Sequence, residues 1–478
     1  MFTLFTFLLD RQARYVYNVY MVAAHKPIPV ATSDIAGLLW TASLPREHGF
    51  EQLRIEGKLP PQLRGTLYRN GPGQFVQFGK RYSHPFEADG AATAIRIADG
   101  AAHGASRIHT SAGLADERAA GKSLYNMSVS WPRRFLNTLR GKRKNTANTN
   151  IIMWQDRLFA LVEAAPPTEL DPRDLSTIGE TKLGVIGAMF SAHPHRVASR
   201  KAMYNFGLEY GRATKLHLYE LPDVGPVRHL GAIPISGAPM LHDFIATDTH
   251  LVFFVSPTRI HVPRMLLGIG KFPELWQWKP EHGTEIICVP IERPTEVLRF
   301  TTDAFYQWHF ANAFNRANEI VVDYIRYPDF GSFYDIGAVG AGGKREVLGA
   351  GRMHRATIDL AAKSMRTEQV SDRSCEFPTL VAGDEGRAQS ITYLTFDDLG
   401  AVGSMDASGK VVAHSLDADE RITEPVHVDG HLLALCHRTG AAYVAVYDAA
   451  RIAAGPVAKI WLDHHVPITF HGTFAPTR

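Results

Sequence analysis

Residues 242–255 read His-Asp-Phe-Ile-Ala-Thr-Asp-Thr-His-Leu-Val-Phe-Phe-Val, a histidine followed by a polar turn and then an apolar run. The turn occupies residues 247–250, and the run from Leu251 is rich in β-branched and aromatic side chains. Apolar runs of this kind after Asx-containing turns are typical of β-hairpins. The stretch therefore predicts a strand–turn–strand unit that begins at His242.

Two further histidines stand in the same relation to a following strand. The apolar run at Ala202 follows His193 at the same interval, and the run at Ile320 follows His309 at a nearly equal one. A recurring unit of this kind places each imidazole at one depth of successive sheets. That is how a β-propeller brings side chains together on its axis.

Three glutamates occupy comparable units, because one ends an apolar run and the other two precede Phe-Pro or Pro. With one histidine near the C-terminal end, the series has seven members: Glu163, His193, His242, His309, Glu376, Glu424 and His471. Seven residues on one axis indicate seven blades. Beyond residue 50 no long run has a helical period, and no Pro- or Ser-rich linker divides the chain. The expected fold is all-β, a seven-bladed β-propeller with a cap of helices and loops on one face.

Composition excludes few functions but does bear on partners and compartment. The 478 residues carry 51 Lys and Arg against 48 Asp and Glu, and the basic residues form only one short run. Nucleic acid is therefore not an expected partner. Three widely separated cysteines argue against a disulfide framework and favour a reducing compartment, so a cytoplasmic location is expected.

Four imidazoles on one axis predict a metal site. Neutral imidazoles bind Fe, Zn, Cu or Ni, and four of them leave the ion its full positive charge. The three glutamates fit as acceptors of ring N–H groups, a role that orients the imidazoles and makes them more basic. A single histidine among the 22 is more often structural than a ligand, and only the repeated context favours ligation.

Several segments, in order along the chain, resemble the carotenoid cleavage oxygenase family, above all its bacterial apocarotenoid oxygenases. The N-terminal signature is Leu-Arg-Gly-Thr-Leu-Tyr-Arg-Asn-Gly-Pro-Gly at 63–73. The other matching segments are His-Pro-Phe-Glu-Ala-Asp-Gly at 84–90, Ala-Asn-Thr-Asn at 147–150, Ser-Ala-His-Pro at 191–194, His-Asp-Phe at 242–244, His-Phe-Ala-Asn-Ala-Phe at 309–314, Glu-Phe-Pro at 376–378, Glu-Pro at 424–425, and His-His-Val-Pro at 464–467 with His-Gly at 471–472. The combination is specific, whereas each piece alone is not.

The resemblance implies a seven-bladed propeller with Fe(II) on its axis, which adds both atoms of dioxygen across one C=C bond of a carotenoid or apocarotenoid and releases two carbonyl products. It implies that Thr149 crowds one open position at the iron and directs dioxygen to the other. The implied iron ligands are His193, His242, His309 and His471, with Glu163, Glu376 and Glu424 holding three of those imidazoles.

A rigid polyene needs a long apolar tunnel, and Trp308, Phe310 and Tyr327 are candidates for its lining. Core aromatic residues would look the same in sequence. Stilbene-cleaving relatives are expected to have a lysine where this chain has Val162, so an apolar polyene is favoured over a hydroxystilbene. Two segments depart from the family pattern, Glu-Ala-Asp-Gly at 87–90 and Gln-Trp at 307–308.

The domain prediction is an apolar N-terminal extension over residues 1–45 and a single seven-bladed propeller with its Fe(II) site over 46–478. The extension has no secretory cleavage site and is too short in its apolar run to span a bilayer. It fits either a helix packed on the propeller or a helix resting on a membrane.

Two other stretches predict peripheral contact with a membrane surface. Residues 131–144 interleave Trp131, Phe135, Leu136 and Leu139 with arginines and lysines, as interfacial segments do. The second stretch contains Leu266, Leu267, Ile269, Phe272, Leu275, Trp276 and Trp278. The alternative is that the first stretch is a solvated basic loop and the second a plug at a blade edge.

Two other classes of function remain open at this point. One is a propeller hydrolase that uses Zn or Ca, although Ca prefers oxygen ligands and Zn hydrolases commonly include a carboxylate. The other is a non-catalytic binding propeller with a purely structural His/Glu core.

Overall fold

A computed structural model describes residues 35–125, 129–187, 189–211, 213–340, 347–388 and 390–477. The main regular structure there is a set of antiparallel sheets in which strands close in sequence are neighbours. Two small two-stranded ribbons, Val76–Gln77 with Lys80–Arg81 and Thr258–Ile260 with Trp276–Trp278, lie outside these sheets.

Each of the first four blades is a separate sheet, whose strands follow one another from the innermost outward. Blade 1 contains His471–Pro476, Gly65–Gln74, Asp89–Ala98, Ala101–Ile108 and His48–Gln52. Blade 2 contains Asn150–Trp154, Arg157–Leu161, Thr168–Leu170 and Thr177–Glu180. Blade 3 contains His195–Val197, Ala202–Glu209, Thr214–Pro222 and Arg228–Ile235, and blade 4 contains Ile245–Ala246, His250–Val255, Thr284–Pro290 and Leu298–Thr302.

Blades 5 and 6 share one long strand, Ser364–Leu380. Residues up to Ser374 pair with the strand Arg352–Asp359 of blade 5, and residues from Cys375 pair with Thr392–Phe396 of blade 6. The strand is therefore the outermost of one blade and the innermost of the next. The remaining strands are Tyr306–Arg316 and Glu319–Tyr327 in blade 5, and Ala401–Met405 and Val411–Ser415 in blade 6.

Blade 7 and blade 1 together close the ring. In blade 7, Glu420–Ile422 and Val426–Val428 both pair with His431–Arg438, which is followed outward by Ala441–Asp448, Ala458–Leu462 and Arg54–Gly57. An early strand thus completes the last blade, and the late strand His471–Pro476 completes the first. This double exchange gives seven blades in the described part of the chain and confirms the predicted fold.

Tight turns explain why these residues form hairpins. Gln155 and Asp156 both have positive φ, at 50° and 59°, and join the two inner strands of blade 2. Asp429 and Gly430 do the same in blade 7, at 45° and 78°. Successive positive φ values are those of the type I′ turn, whose twist matches that of the flanking strands.

The hydrophobic core lies between neighbouring blades rather than at one centre. Between blades 3 and 4, for example, Phe206, Phe244 and Phe253 are all buried, with ring centroids 5.2–5.6 Å apart. Burying one such side chain stabilises the fold by about 1.5–3 kcal/mol. Because each interface packs in this way, the blades hold the inner strands, and the residues on them, in fixed positions.

Several helices and loops contact one another and form a cap, as predicted. The α-helices are α1, Ile35–Leu39; α2, Ala112–Ala120; α3, Trp131–Leu139; α4, Val262–Leu267; and α5, Gly331–Gly340. Short 3₁₀ helices occupy Pro85–Glu87, Ala198–Arg200, Phe272–Leu275, Pro280–His282 and Ile452–Ala454. Helix α3 contacts α4, and α5 contacts the 3₁₀ helices at 85–87 and 272–275.

The N-terminal boundary is partly visible. Ile35, Leu39 and Trp40 are buried in the same hydrophobic cluster as residues of blade 5 and α5. Residues 1–34, which carry most of the predicted extension, lie outside the described residues. Within the part of the chain that is described, none of the helices combines the length and hydrophobicity needed to cross a bilayer.

Candidate metal centre

Four histidines meet on the axis of the propeller. Each offers a ring nitrogen, and these four atoms all lie within 4.8 Å of one another. All four side chains are buried. They come from four different blades: His471 from blade 1, His193 from blade 3, His242 from blade 4 and His309 from blade 5.

The inner strands position these side chains. His471 is the first residue of its strand, and His193 and His242 lie just before the inner strands of blades 3 and 4. His309 lies within Tyr306–Arg316, where the pairing register shifts on both sides of Phe310. Such an irregularity re-aims side chains and is common beside functional sites.

Asp243 links the three blades that carry His193, His242 and His309. Its Oδ2 accepts a hydrogen bond from the Phe310 amide at 2.9 Å, and its Oδ1 accepts one from the Phe244 amide at 2.8 Å. The same Oδ1 lies 2.8 Å from Nε2 of His195. Each partner is within two residues of a histidine of the cluster, so one buried carboxylate fixes their relative positions.

Each of three histidines has a glutamate at its other ring nitrogen. His309 Nδ1 lies 2.5 Å from Glu376 Oε2, and His471 Nδ1 lies 2.8 Å from a carboxylate oxygen of Glu424. The remaining pair is His242 Nδ1 with Glu163 Oε1, at an ion-pair distance of 2.6 Å. These contacts hold the Nε2 atoms of the three rings toward the axis, as carboxylate partners do in metal sites.

Every one of these carboxylates has a further partner, and the partners differ. Tyr327 donates its hydroxyl to Glu376 Oε1 at 2.9 Å. Arg69 donates to Glu424 Oε2 at 2.7 Å. Glu163 lies 3.4 Å from the hydroxyl of Thr149.

Phe377 shows how tightly the backbone is held beside the centre. It has φ +54°, a conformation that costs a non-glycine residue free energy. In this conformation its amide donates to Glu376 Oε2 at 2.7 Å, and its ring packs 5.4 Å from that of His309.

The histidine cluster fits a metal ion that imidazoles bind. Nε2 of His193 is buried and has no hydrogen-bond partner among the described residues, although a buried polar atom is normally satisfied. Burial, together with the neighbouring imidazoles, lowers the pKa of His193 well below its usual value, so the ring is neutral, the form that binds a metal. Burial also lowers the pKa of His471. Such a donor set suits Fe, Zn, Cu or Ni.

A cavity of about 420 Å³ opens onto the centre. His242, His309, His471 and Glu163 form part of its wall. Its size falls within the range of small-molecule sites, about 300–1,000 Å³. The apolar part of the wall includes Trp40, Phe86, Met189, Phe206, Leu208, Met240, Leu241, Ile260, Phe272, Leu275, Trp276, Ile336, Phe377 and Phe470.

Some of the predicted tunnel residues line the cavity and others lie outside its wall. Thr149, Val162 and Trp308 line the cavity, and the Trp308 ring meets that of His242 edge-on at 4.9 Å. Phe310 and Tyr327 are not among the described residues that form its wall, and their tunnel roles stay a prediction. Phe310 packs against Phe254 and Tyr324 between blades, because it points away from the axis, and the hydroxyl of Tyr327 is engaged by Glu376.

Residues that the sequence pattern did not single out complete the site. Arg69, Asp243 and Phe377 each contact a residue of the His/Glu set or its immediate neighbour. The sequence held one signal for all three, since each lies in a segment that resembles the family. The role of Phe377 depends on its backbone conformation, which its sequence neighbours do not reveal.

Comparison with known proteins agrees with this geometry. The family model described as retinal pigment epithelial membrane protein matches residues 41–476. Apocarotenoid-15,15'-oxygenase of Synechocystis is 32% identical over 472 residues, covering 91% of this chain and 95% of that protein. Resveratrol cleavage oxygenase 1 of Aspergillus fumigatus is 29% identical over 284 residues, covering 58% of this chain and 56% of its own length.

Solved structures agree as well. The crystal structure of cobalt-substituted Synechocystis ACO, the apocarotenoid oxygenase, superimposes with a TM-score of 0.83 at 29% identity, over 92% of this chain and 98% of that one. The family match spans all seven blades and every residue of the His/Glu set. The chain therefore belongs to the retinal pigment epithelial membrane protein family, which is the family of the carotenoid oxygenases.

Proposed function

We propose that this protein is an iron(II)-dependent dioxygenase that cleaves one C=C bond of a carotenoid or apocarotenoid and gives two carbonyl products. The observation that carries the proposal is the cluster of four buried histidines, three of them paired with carboxylates, at the wall of a largely apolar cavity. When bound, iron(II) would supply the activation of dioxygen for addition across the C=C bond.

In this proposal the chain's own residues hold the iron and orient the rings that bind it. His193, His242, His309 and His471 bind the iron through ring nitrogens that converge within 4.8 Å. The carboxylates of Glu163, Glu376 and Glu424 keep three of those rings in the tautomer that presents Nε2.

Thr149 shapes the space beside the metal. Its hydroxyl lies within hydrogen-bonding distance of Asn148 and Glu163, at 3.3 and 3.4 Å. Because the hydroxyl has these partners, the methyl group is left to face the cavity that Thr149 lines, where it would narrow the space beside a bound iron.

An apolar polyene fits the cavity better than a phenolic substrate. Val162 lines the cavity and lies next to Glu163, where it offers no charge to a phenolate. Trp308 and Phe86 add flat apolar surfaces that suit a conjugated chain. Cleavage of a stilbene by the same iron site is the second candidate, and the similarity to a resveratrol cleavage oxygenase favours it.

A membrane surface is the proposed source of the substrate. On the cap, Trp131, Leu139 and Leu266 are 58%, 68% and 50% exposed, and Arg133 and Arg140 lie among them. Arg134 and Arg264 line the cavity, so the basic apolar face adjoins it. We propose peripheral association through this face in the cytoplasm, with residues 1–45 as an N-terminal apolar extension and 46–478 as one propeller unit.

The deciding experiment combines metal analysis with turnover. The parent protein, His309→Ala and His354→Ala are purified without oxygen, their iron is measured, and an apocarotenal is supplied with and without dioxygen. His354 is the matched control, because it lies in the same blade outside the cluster. For the parent and His354→Ala we expect about one iron per chain and two dioxygen-dependent aldehyde products. For His309→Ala we expect neither the iron nor the products.

Other outcomes would identify the alternatives. Zinc in place of iron, with no dioxygen-dependent product from polyenes, would contradict the proposal and favour a hydrolase. A stable protein that binds no metal would favour a binding propeller. Product formation from a hydroxystilbene only would establish the second candidate, and dioxygen-independent conversion would indicate an isomerase.

A further inference from the structure

Arg69 is a fully buried cation with one ionic partner in the His/Glu set. Its Nη1 lies 2.7 Å from Glu424 Oε2, and its side chain has no exposed surface. Its other contacts are neutral: the carbonyl of Phe470 and the hydroxyls of Thr423 and Thr469. The strand Gly65–Gln74, which carries Arg69, pairs directly with the strand that begins at His471.

The three carboxylates of the centre are therefore not equivalent. Glu424 accepts from His471, from the Gly472 amide and from a guanidinium. Glu376 accepts from His309, Tyr327 and the Phe377 amide, and Glu163 from Thr149 beside His242. Among the described residues no lysine or arginine pairs with Glu163 or Glu376, whose partners are imidazoles and neutral donors.

The buried charges around the axis are then neutralised by a metal ion of one particular charge. Three carboxylates bring three negative charges, and Arg69 cancels one of them, which leaves an excess of two. A divalent cation among neutral imidazoles would cancel that excess, whereas a trivalent one would leave a net positive charge in a poorly solvated interior. Asp243, a further buried carboxylate, is left out of this balance because none of its partners is a ring of the cluster: it accepts from two backbone amides and lies 2.8 Å from His195.

We propose that Arg69 sets the oxidation state of the metal centre: by neutralising one of the three carboxylates, it holds the bound iron in the divalent state. Arg69 acts as a positioning residue that touches the centre only through Glu424. The inference rests on the proposed iron centre but not on the identity of the polyene or the bond that is cut.

The test is the one-electron reduction potential of iron bound to the intact protein, read from the ferric electron paramagnetic resonance signal during a mediated redox titration. Arg69→Met removes the buried charge and keeps an unbranched apolar side chain. We expect the preference for the ferrous over the ferric ion to fall by about tenfold or more, which is 59 mV for each factor of ten in a one-electron couple. Arg69→Lys keeps the charge and should leave the potential close to that of the parent.

Two further variants test charge rather than packing. Glu424→Gln alone removes a negative charge, retains an oxygen that accepts from His471, and should raise the potential. Glu424→Gln combined with Arg69→Met restores neutrality and should return the potential toward the parent value. A packing defect would instead make the double variant worse than either single one. If Arg69→Met does not fold, the opposite shift in Glu424→Gln still decides the question.

The failures are distinguishable. Unchanged potentials in Arg69→Met and Glu424→Gln, with iron bound at the parent's stoichiometry, would overturn the role of Arg69 and leave the proposed function intact. A parent protein that binds no iron would overturn both.

Discussion

Tyr327 and Tyr324 lie on the same strand, but only one of them reaches the metal centre. The hydroxyl of Tyr327 donates to the buried carboxylate of Glu376 at 2.9 Å. The hydroxyl of Tyr324 lies 3.3 Å from that of Thr367, away from the axis. The two residues therefore form a matched pair in which the same substitution tests a charged and a neutral hydrogen bond.

Replacing Tyr327 with Phe should destabilise the protein by about 1.5–3 kcal/mol, because a hydrogen bond to a charged group is lost. It should also weaken metal binding by about tenfold, the lower end of the effect of groups that support metal ligands. Urea unfolding and competitive titration with Co²⁺ measure the two effects. Tyr324→Phe should lower the free energy of unfolding by about 0.5–1.5 kcal/mol and leave Co²⁺ affinity unchanged. An equal loss of affinity in both variants would show that metal binding does not depend on the hydrogen bond from Tyr327 to Glu376.

At this scale the sequence predicted the residues that recur in a pattern. The interval between histidine and strand identified His193, His242 and His309, and the structure brings them together with His471. The sequence did not show which neighbours of His309 face the cavity, because the register shifts around Phe310 decide their orientation. Those shifts depend on pairing with a strand that the sequence pattern alone does not align.

Among the elements, helix α3 is the clearest candidate for the proposed membrane contact. Its apolar side chains Trp131, Leu136 and Leu139 are exposed although its other face contacts α4. An amphipathic helix with an exposed apolar side and flanking arginines lies in the membrane interface when lipid is present.

The double variant Leu136→Ser/Leu139→Ser should weaken binding to vesicles that contain anionic lipid by at least about tenfold, because apolar area no longer enters the interface. Co-sedimentation measures the change. Ile178→Ser/Val224→Ser is the matched control, since these residues are 63% and 88% exposed but lie in blades 2 and 3 outside the cap. Equal binding by the parent and the α3 variant would exclude this helix as the docking element.

The strands were more predictable than the helices. Turn residues and apolar runs mark the hairpins, and these signals are local. Helix α5 left no such signal, because Phe333, Ile336 and Val339 are buried together with Ser332 and its glycines, so no polar face alternates with an apolar one. Its helical form depends on packing against the other parts of the cap. The sequence does not show that packing until the fold is known.

For the whole molecule, buried neutral histidines outside the metal centre should control acid stability. Burial lowers the pKa of His84, His109 and His437 to about 3 in each case. In the unfolded chain the same rings take up a proton near pH 6.5, as ordinary histidines do, at about that value. Below pH 6.5 the unfolded state therefore binds more protons than the folded state.

The free energy of unfolding should consequently fall as the pH decreases from about 6.5 to about 5.5, by up to about 1.4 kcal/mol per pH unit for each histidine. Carboxylates remain largely ionised in that window, so the histidines dominate the slope. Urea unfolding at several pH values measures it. His437→Gln should reduce the slope by the contribution of one histidine, and the exposed control His282→Gln should leave the slope unchanged. A slope that His437→Gln leaves unchanged would contradict this origin of acid sensitivity.

The closure of the ring bears on the order in which the protein can mature. A ribosome delivers the strand Arg54–Gly57 long before its partner Ala458–Leu462, and His471 emerges only after every other ligand. Throughout synthesis the first blade lacks its inner strand and the cluster lacks its fourth imidazole. On the proposed function, iron capture would thus be a late event in biogenesis, because a nascent chain holds an incomplete histidine cluster, which would bind a metal ion more weakly than the finished protein does.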